Sequence, residues 1–350
     1  VFRSTPLCLV ALYCASVGGG ELSLPAAGMQ DAPIQSVNRE SDQQRVIRLF
    51  RSGEFDEAAK LAKEIDDKLG RFSVDERWPL VEIRSLMQRG QYRAARQALD
   101  RGLERFPRSI RIRWLGAEVC RFSQESRLAK DLEEQVGQLF AKSSWRYRGV
   151  EDQIVIAEFL LSKKQDAKQI IDRILKPAQE SHPNHTAVYQ AIGGLALDKH
   201  DYGLAAKNYL KAAELTADDP DAHYGLAEAY RPSDFSKCRS ALDAALAINP
   251  KHVPSLLMIV DQHISAEKYE DAADCLNLIL SVNPEQPLAW AYKAVLAHLD
   301  NLPQQEADCR NRALAHWEGN PQVDHLIGRE LSEKYRFKES ASYQRRSLIY

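Results

Sequence analysis

Residues 249–284 read NPKHVPSLLMIVDQHISAEKYEDAADCLNLILSVNP, a segment that opens and closes on the same Asn-Pro pair 34 residues apart. Between the pairs, Ile259 and Val260 and then Ala272, Leu276 and Ile279 fall at helical spacing, as two amphipathic helices would place them. Proline at the boundary stops the second helix, because the residue before it is pushed out of the helical region. The unit is a helix–turn–helix.

The same unit recurs on both sides. Lys268-Tyr269-Glu270-Asp271-Ala272 aligns with Asp201-Tyr202-Gly203-Leu204-Ala205 and with Arg336-Phe337-Lys338-Glu339-Ser340, an aromatic followed three positions later by a small residue. Tyr202 and Tyr269 are 67 residues apart, and Tyr269 and Phe337 are 68, each close to two periods of 34. Phe55-Asp56-Glu57-Ala58 and Tyr92-Arg93-Ala94-Ala95 are earlier copies, and Phe106-Pro107 is a further closing pair. Self-similarity at this period marks a stacked-repeat architecture, in which one hairpin cannot cover its own apolar stripe and needs the next.

These residues resemble the tetratricopeptide repeat over roughly 41–350. The repeat puts a large residue at position 4, small residues at 8, 20 and 27, and Pro near 32. Tyr189, Ile192, Gly193, Ala205, Tyr209 and Ala212 match one copy; Leu226, Ala227, Tyr230, Cys238, Leu242, Ala245 and Pro250 match the next. Trp290, Ala294 and Ala313 follow, with Pro321 read as a closing proline displaced to position 35. The resemblance implies an all-α, right-handed solenoid of about nine hairpins. Residues 181–350 carry the regular repeats. Residues 41–180 are degenerate: 109–148 lack the aromatic and small pair, and 150–180 keep only Ile154, Ala157, Ala167, Ile171 and Ile174. A helical spacer in that stretch is the competing reading.

Function classes fall away in turn. With 47 Lys and Arg against 49 Asp and Glu, there is no basic excess of the kind a nucleic-acid binder carries. No run of 18 apolar residues exists to span a bilayer. Cys120, Cys238, Cys275 and Cys309 form no Cys-x-x-Cys pair and lack a His at ligand spacing, so they read as small buried residues and no metal site is expected. No cofactor-binding or catalytic motif is found; His182 and His185 are split by Pro183 into a loop, and Asp218, Asp219 and Asp221 read as helix caps beside Pro220.

What remains is binding. The resemblance implies a partner on the concave face lined by first helices, where positions 5 and 9 are Gln190 and Gly194, Tyr224 and Glu228, Leu257 and Asp261, and Ala291 and Val295. A carboxylate clamp would need Lys and Asn there. An asparagine ladder would need Asn at position 6, where Ala191, Gly225, Met258 and Tyr292 stand. The expected site is Gln190, Tyr224, Glu228, Asp261 and Tyr292, suited to a neutral or basic peptide or protein, unless Tyr224 and Tyr292 pack on neighbouring helices instead. Residues 71–148 hold 17 basic against 10 acidic side chains and 197–350 hold 17 against 23. The arginines at 84, 89, 93, 96, 101, 105 and 108 either decorate a solvated face or dock something acidic.

The ends add three expectations. Arg3, the apolar run Leu7–Ala15 and Gly18–Gly20 have the layout of a signal peptide over 1–20, followed by a linker over 21–40. That layout implies export to a bacterial periplasm or envelope. The last repeat ends at Tyr350 without a capping helix, so the natural protein is expected to continue, and Leu348, Ile349 and Tyr350 are expected to be exposed and to favour self-association. The leading expectation is a non-enzymatic protein-interaction scaffold; the alternative is the targeting arm of a larger exported hydrolase or metallopeptidase.

Overall fold

In a computed structural model that describes residues 41–70 and 75–349, the chain is helical from one end of the described region to the other. The leader and linker expected over 1–40 lie outside the described residues. Nine antiparallel hairpins follow one another: α1 (Asp42–Arg51) with α2 (Phe55–Leu69), α3 (Arg77–Gln88) with α4 (Tyr92–Arg105), and α5 (Ile110–Phe122) with α6 (Ser126–Ser143). In the fourth, α7 (Val150–Ser162) pairs with a helix that runs from α8 (Ala167–Ile170) through a π-helical turn (Ile171–Leu175) into α9 (Lys176–Ser181). Then come α10 (Thr186–Asp198) with α11 (Tyr202–Leu215), α12 (Pro220–Tyr230) with α13 (Phe235–Ile248), and α14 (Val253–Ser265) with α15 (Tyr269–Val282). The last two are α16 (Pro287–Leu299) with α17 (Pro303–Leu314) and α18 (Pro321–Glu333) with α19 (Phe337–Ser347). The degenerate stretch 109–180 is therefore two ordinary hairpins, and no spacer interrupts the stack.

Each hairpin turn is made the same way. Gly53, Gly90, Gln124, Lys164, His200, Glu267, Asn301 and Tyr335 all sit in the left-handed region, with φ between 58° and 83°. The next residue's N–H then reaches back five residues, as in Gln91 to Leu86 (2.9 Å) and Lys268 to His263 (2.9 Å), which satisfies a carbonyl at the end of the first helix. The sixth hairpin differs: Pro232 lengthens its turn, and Asp234 N–H bonds Tyr230 instead.

Between hairpins, Asn249 and Asn283 end their helices and turn the chain, each side-chain oxygen accepting the N–H two residues on (2.9 Å in both). Pro250 and Pro284 follow these ends, as the period requires. Pro321 does not: it is the first residue of α18, capped by Asn320, and so opens a helix rather than closing one. A proline is tolerated there because the first N–H of a helix has no partner to lose. The core runs through the stack. Ala205, Ala245 and Ala272 are fully buried at the close crossings, and the Tyr209 ring is clasped between Gly193 and Gly225, where a Cβ on either glycine would strike it. Cys120, Cys238 and Cys309 are buried and Cys275 half-buried, all as free thiols.

The stack winds tightly enough to meet itself. The turns of hairpins 1–3 rest on the loops that join hairpins 5–9. Arg51 pairs with Asp218 (3.0 Å), Arg89 donates to the Val282 carbonyl (2.7 Å), and the Tyr92 hydroxyl donates to the Glu285 carbonyl (3.3 Å). Gln124 donates to the Ala315 carbonyl (2.6 Å), while Tyr92 packs on His316 and Phe122 on Trp317. A Cβ on Gly53 or Gly90 would overlap the carboxamide of Asn249 or Asn283 respectively. The offset stays within a narrow range: hairpin 1 meets the loops around hairpin 6, hairpin 2 those around hairpin 8, hairpin 3 the loop between 8 and 9. One superhelical turn therefore takes between five and six hairpins.

Candidate partner-binding face

First helices pack on first helices of the next hairpin (α3 on α5, α5 on α7, α7 on α10, α10 on α12, α14 on α16, α16 on α18), and second helices do so less. The first helices therefore line the inner side of the superhelix. Six places before each left-handed turn residue, one position per hairpin faces along this side: Ile47, Arg84, Glu118, Glu158, Gly194, Asp261, Val295 and Arg329, with Glu228 in the equivalent place of hairpin 6. The row carries more acid than base.

Its carboxylates are partnered within the chain. Asp261 is buried and takes Arg231 from α12's end and Arg329 from α18 on its two oxygens, while the Tyr292 hydroxyl donates to Oδ1 (3.0 Å). Arg329 also pairs with Glu330, whose own carboxyl is almost fully buried and held above its ordinary pKa by that burial. Asp261 and Tyr292 thus come together as part of one network, and what faces outward over Asp261 is the two guanidinium groups. Neutralised from both sides, Asp261 supplies no free charge to an incoming group.

The other three expected residues lie elsewhere. Gln190 is buried and donates to Asp219 Oδ2 (2.9 Å), the same Asp219 whose other oxygen caps α12. Tyr224 and Glu228 are half-buried one turn apart on α12, the Tyr224 ring edge-on to His252 at 5.9 Å. Burial, reinforced by the neighbouring Glu228 charge, keeps the Tyr224 proton on. His182 and His185 are in a loop as expected, with His185 Nε2 at 3.2 Å from Glu151; despite burial, that hydrogen bond and nearby Arg111 lower the Glu151 carboxyl to about 2.

Sequence reading missed the matching site in the degenerate hairpins. Trp114 Nε1 donates to Glu158 Oε2 (2.7 Å), and burial raises that carboxyl to about 8; Glu118, with Arg121 and Arg84 nearby, is raised by enclosure to about 7. Carrying the position-9 count into residues 109–180 would have found both. In the arginine-rich segment Arg93 and Arg108 are exposed, while Arg96 bridges Asp100 and Glu125, Arg101 meets Glu82, Arg105 meets Asp66, and nearby Arg111 meets Glu76. The paired arginines tie helix to helix. A cleft of about 470 Å³ opens where Gly90, Tyr92, Arg93 and Gln97 face Glu285 and His316. No group of three or more metal-ligating side chains, and no helix long and apolar enough to cross a membrane, occurs among the described residues.

Residues 80–141 match the family model of the tetratricopeptide repeat, and the described residues form stacked helical hairpins in a superhelix of that kind. No curated protein matches it. Among solved structures, the chain is similar to the Cut9–Hcn1 hetero-tetramer of the APC/C at 13% identity, over 89% of this chain and 74% of that one, with a TM-score of 0.47. A monomeric mutant of IFIT1 bound to m7Gppp-AAAA is similar at 14% identity over 89% and 82% (TM-score 0.49). PilF of Pseudomonas aeruginosa is similar at 14% identity over 73% and 97% (TM-score 0.35).

Proposed function

We propose that this tetratricopeptide-repeat chain is a non-catalytic scaffold that holds a neutral or basic segment of a partner protein on the inner face between residues 186 and 300. The observation that carries the proposal is the pairing of Tyr224 and Glu228: both lie on the inner side, both are half-buried, and together they offer an aromatic surface beside a carboxylate. Gln190, Asp261 and Tyr292 lie on the neighbouring first helices, held by bonds from Gln190 to Asp219, from Asp261 to Arg231 and Arg329, and from Tyr292 to Asp261. A rigid frame lowers the ordering cost of binding.

A photo-crosslinker at position 224 should capture a partner segment, and one at Arg239 on the outer helix α13 should not. Tyr224→Ala with Glu228→Gln should abolish capture while helicity stays unchanged. Equal capture from both positions, or capture that survives the double substitution, refutes the reading.

We propose also that the protein works in a bacterial envelope after export. The layout of residues 1–20 supports this, and the N-terminal sequence of the protein recovered from its source cells tests it: an N-terminus still at Val1 in the cytosolic fraction refutes it.

A further inference from the structure

The contact by which the superhelix meets itself has two sides, and each side recurs without a partner among the described residues. On one side are aromatic residues two places after the left-handed turn residue. Phe55 and Tyr92 are 6% and 4% exposed, because loops one superhelical turn away cover them. Their counterparts Phe235 and Phe337 are 68% and 62% exposed, and Tyr335, at the left-handed position itself, is 81% exposed and edge-on to Phe337 at 6.0 Å. On the other side are the loops between hairpins. Trp317, between hairpins 8 and 9, packs on Phe122 at 5.6 Å under Arg121. Trp145, between hairpins 3 and 4, is 66% exposed with Arg146 stacked on it. Exposed aromatic groups that repeat the chemistry of a buried contact mark a surface made to be covered.

Charge distinguishes the two rims. The uncovered loops at 106–109, 144–149 and 182–185 carry Arg108, Arg146 and Arg148 and no carboxylate. The turns of hairpins 6–8 and the helix starts beside them carry Asp234, Glu267, Glu270, Asp271 and Asp300; of the bases there, Arg231 is engaged by Asp261 and Lys237 by Asp234, leaving Lys268. The last turn adds Lys334, held by Glu267, with Arg336 and Lys338 against Glu339.

We propose that a second copy of this chain stacks on the turn rim of hairpins 6–9, with the loops between its hairpins 2–5 taking the place that the loops of hairpins 5–9 take on hairpins 1–3. The contact continues between chains what already holds within one. Its two faces differ, so the interface is head-to-tail and open-ended, and addition of copies along the superhelix axis gives a filament. It uses neither Tyr224 nor Glu228, and stands whether or not the inner face binds a peptide.

Sedimentation velocity on the intact chain, over a dilution series reaching about 100 µM, should show the weight-average mass rising with concentration and falling as salt screens the rims. Trp145→Ala blunts the loop rim, and Phe235→Ser with Phe337→Ser blunts the turn rim; all three side chains are exposed, so circular dichroism should be unchanged. Each variant alone should stay monomeric. Mixed in equal amounts they should form a dimer that grows no further, since one intact rim of each kind remains. A wild-type chain monomeric throughout, or a mixture that stays monomeric, overturns the proposal. So does association that survives Trp145→Ala but is lost in Leu348→Ser with Ile349→Ser, which would put the contact at the solenoid's end.

Discussion

Gly90→Ala probes the closure of the superhelix more directly than any other single change. Gly90 has φ +69°, so alanine there bears the left-handed penalty of about 1–2 kcal/mol. Its Cβ would also overlap the Asn283 carboxamide and come within 3.4 Å of the Glu285 Cβ. The carboxamide cannot simply turn away, since its oxygen accepts the Glu285 N–H at 2.9 Å and its nitrogen lies 3.5 Å from the Tyr92 hydroxyl. Forcing such a packed contact costs about 1–3 kcal/mol, for a total of about 2–5 kcal/mol. The overlap needs the Asn283 side chain, so in an Asn283→Ala background the cost of Gly90→Ala should fall to the backbone part alone, about 1–2 kcal/mol. Urea unfolding followed by circular dichroism gives all four corners of the cycle, and a common m-value shows that they share one transition. Additivity of the two changes within about 0.5 kcal/mol would mean that these groups do not meet, and that the superhelix is open in solution.

Two further outcomes follow from packing and from burial. Ala205→Leu, Ala245→Leu and Ala272→Leu should each cost about 1–3 kcal/mol by overpacking a helix crossing, and three unchanged urea midpoints would show that the repeat register is wrong. Glu158, raised from 4.5 to about 8, stays protonated in the native state between those values while the unfolded chain ionises, so its contribution makes stability fall as pH rises through that window. Glu158→Gln should remove that share of the decline, so that the variant gains on the parent from about pH 5 to about pH 8; parallel stability profiles would refute the assignment.

Much of the fold is legible because it is local. A hairpin's apolar stripe, its small residues at the crossing and the proline that ends it all fall within 34 residues, and Ala205, Ala245 and Ala272 emerge in the core as that arithmetic requires. The π-helical turn at Ile171–Leu175 shows why the fourth hairpin looked degenerate: an altered helical turn shifts every later residue around the helix, so matching by fixed spacing fails there although the hairpin forms. The site is less legible. Register brings Asp261 and Tyr292 onto adjacent first helices, where they meet at 3.0 Å, but Arg329 comes from 68 residues further along, two hairpins away. No periodic rule within one repeat says that it will cover Asp261.

The superhelical closure leaves a trace in the residues at the left-handed turn position. That position is glycine at Gly53 and Gly90 and another residue at Gln124, Lys164, His200, Glu267, Asn301 and Tyr335. Eight turns share one backbone shape, so shape alone does not decide where glycine stands. Coverage does. At Gly53 and Gly90 the carboxamides of Asn249 and Asn283 occupy the space a Cβ would need. At Gln124, the third covered turn, the side chain itself bridges to the Ala315 carbonyl. From Lys164 onward no loop among the described residues covers the turn, and the position takes charged, polar or aromatic side chains, ending with the exposed Tyr335. His200 meets the Tyr202 hydroxyl at 3.1 Å and Glu267 pairs with Lys334, so at Tyr335 too the ring's own surroundings must supply the reason for its presence. Its exposed pairing with Phe337, on the rim whose covered counterparts are Phe55 and Tyr92, supplies one: the residue is placed for a neighbour that arrives from another copy of the chain.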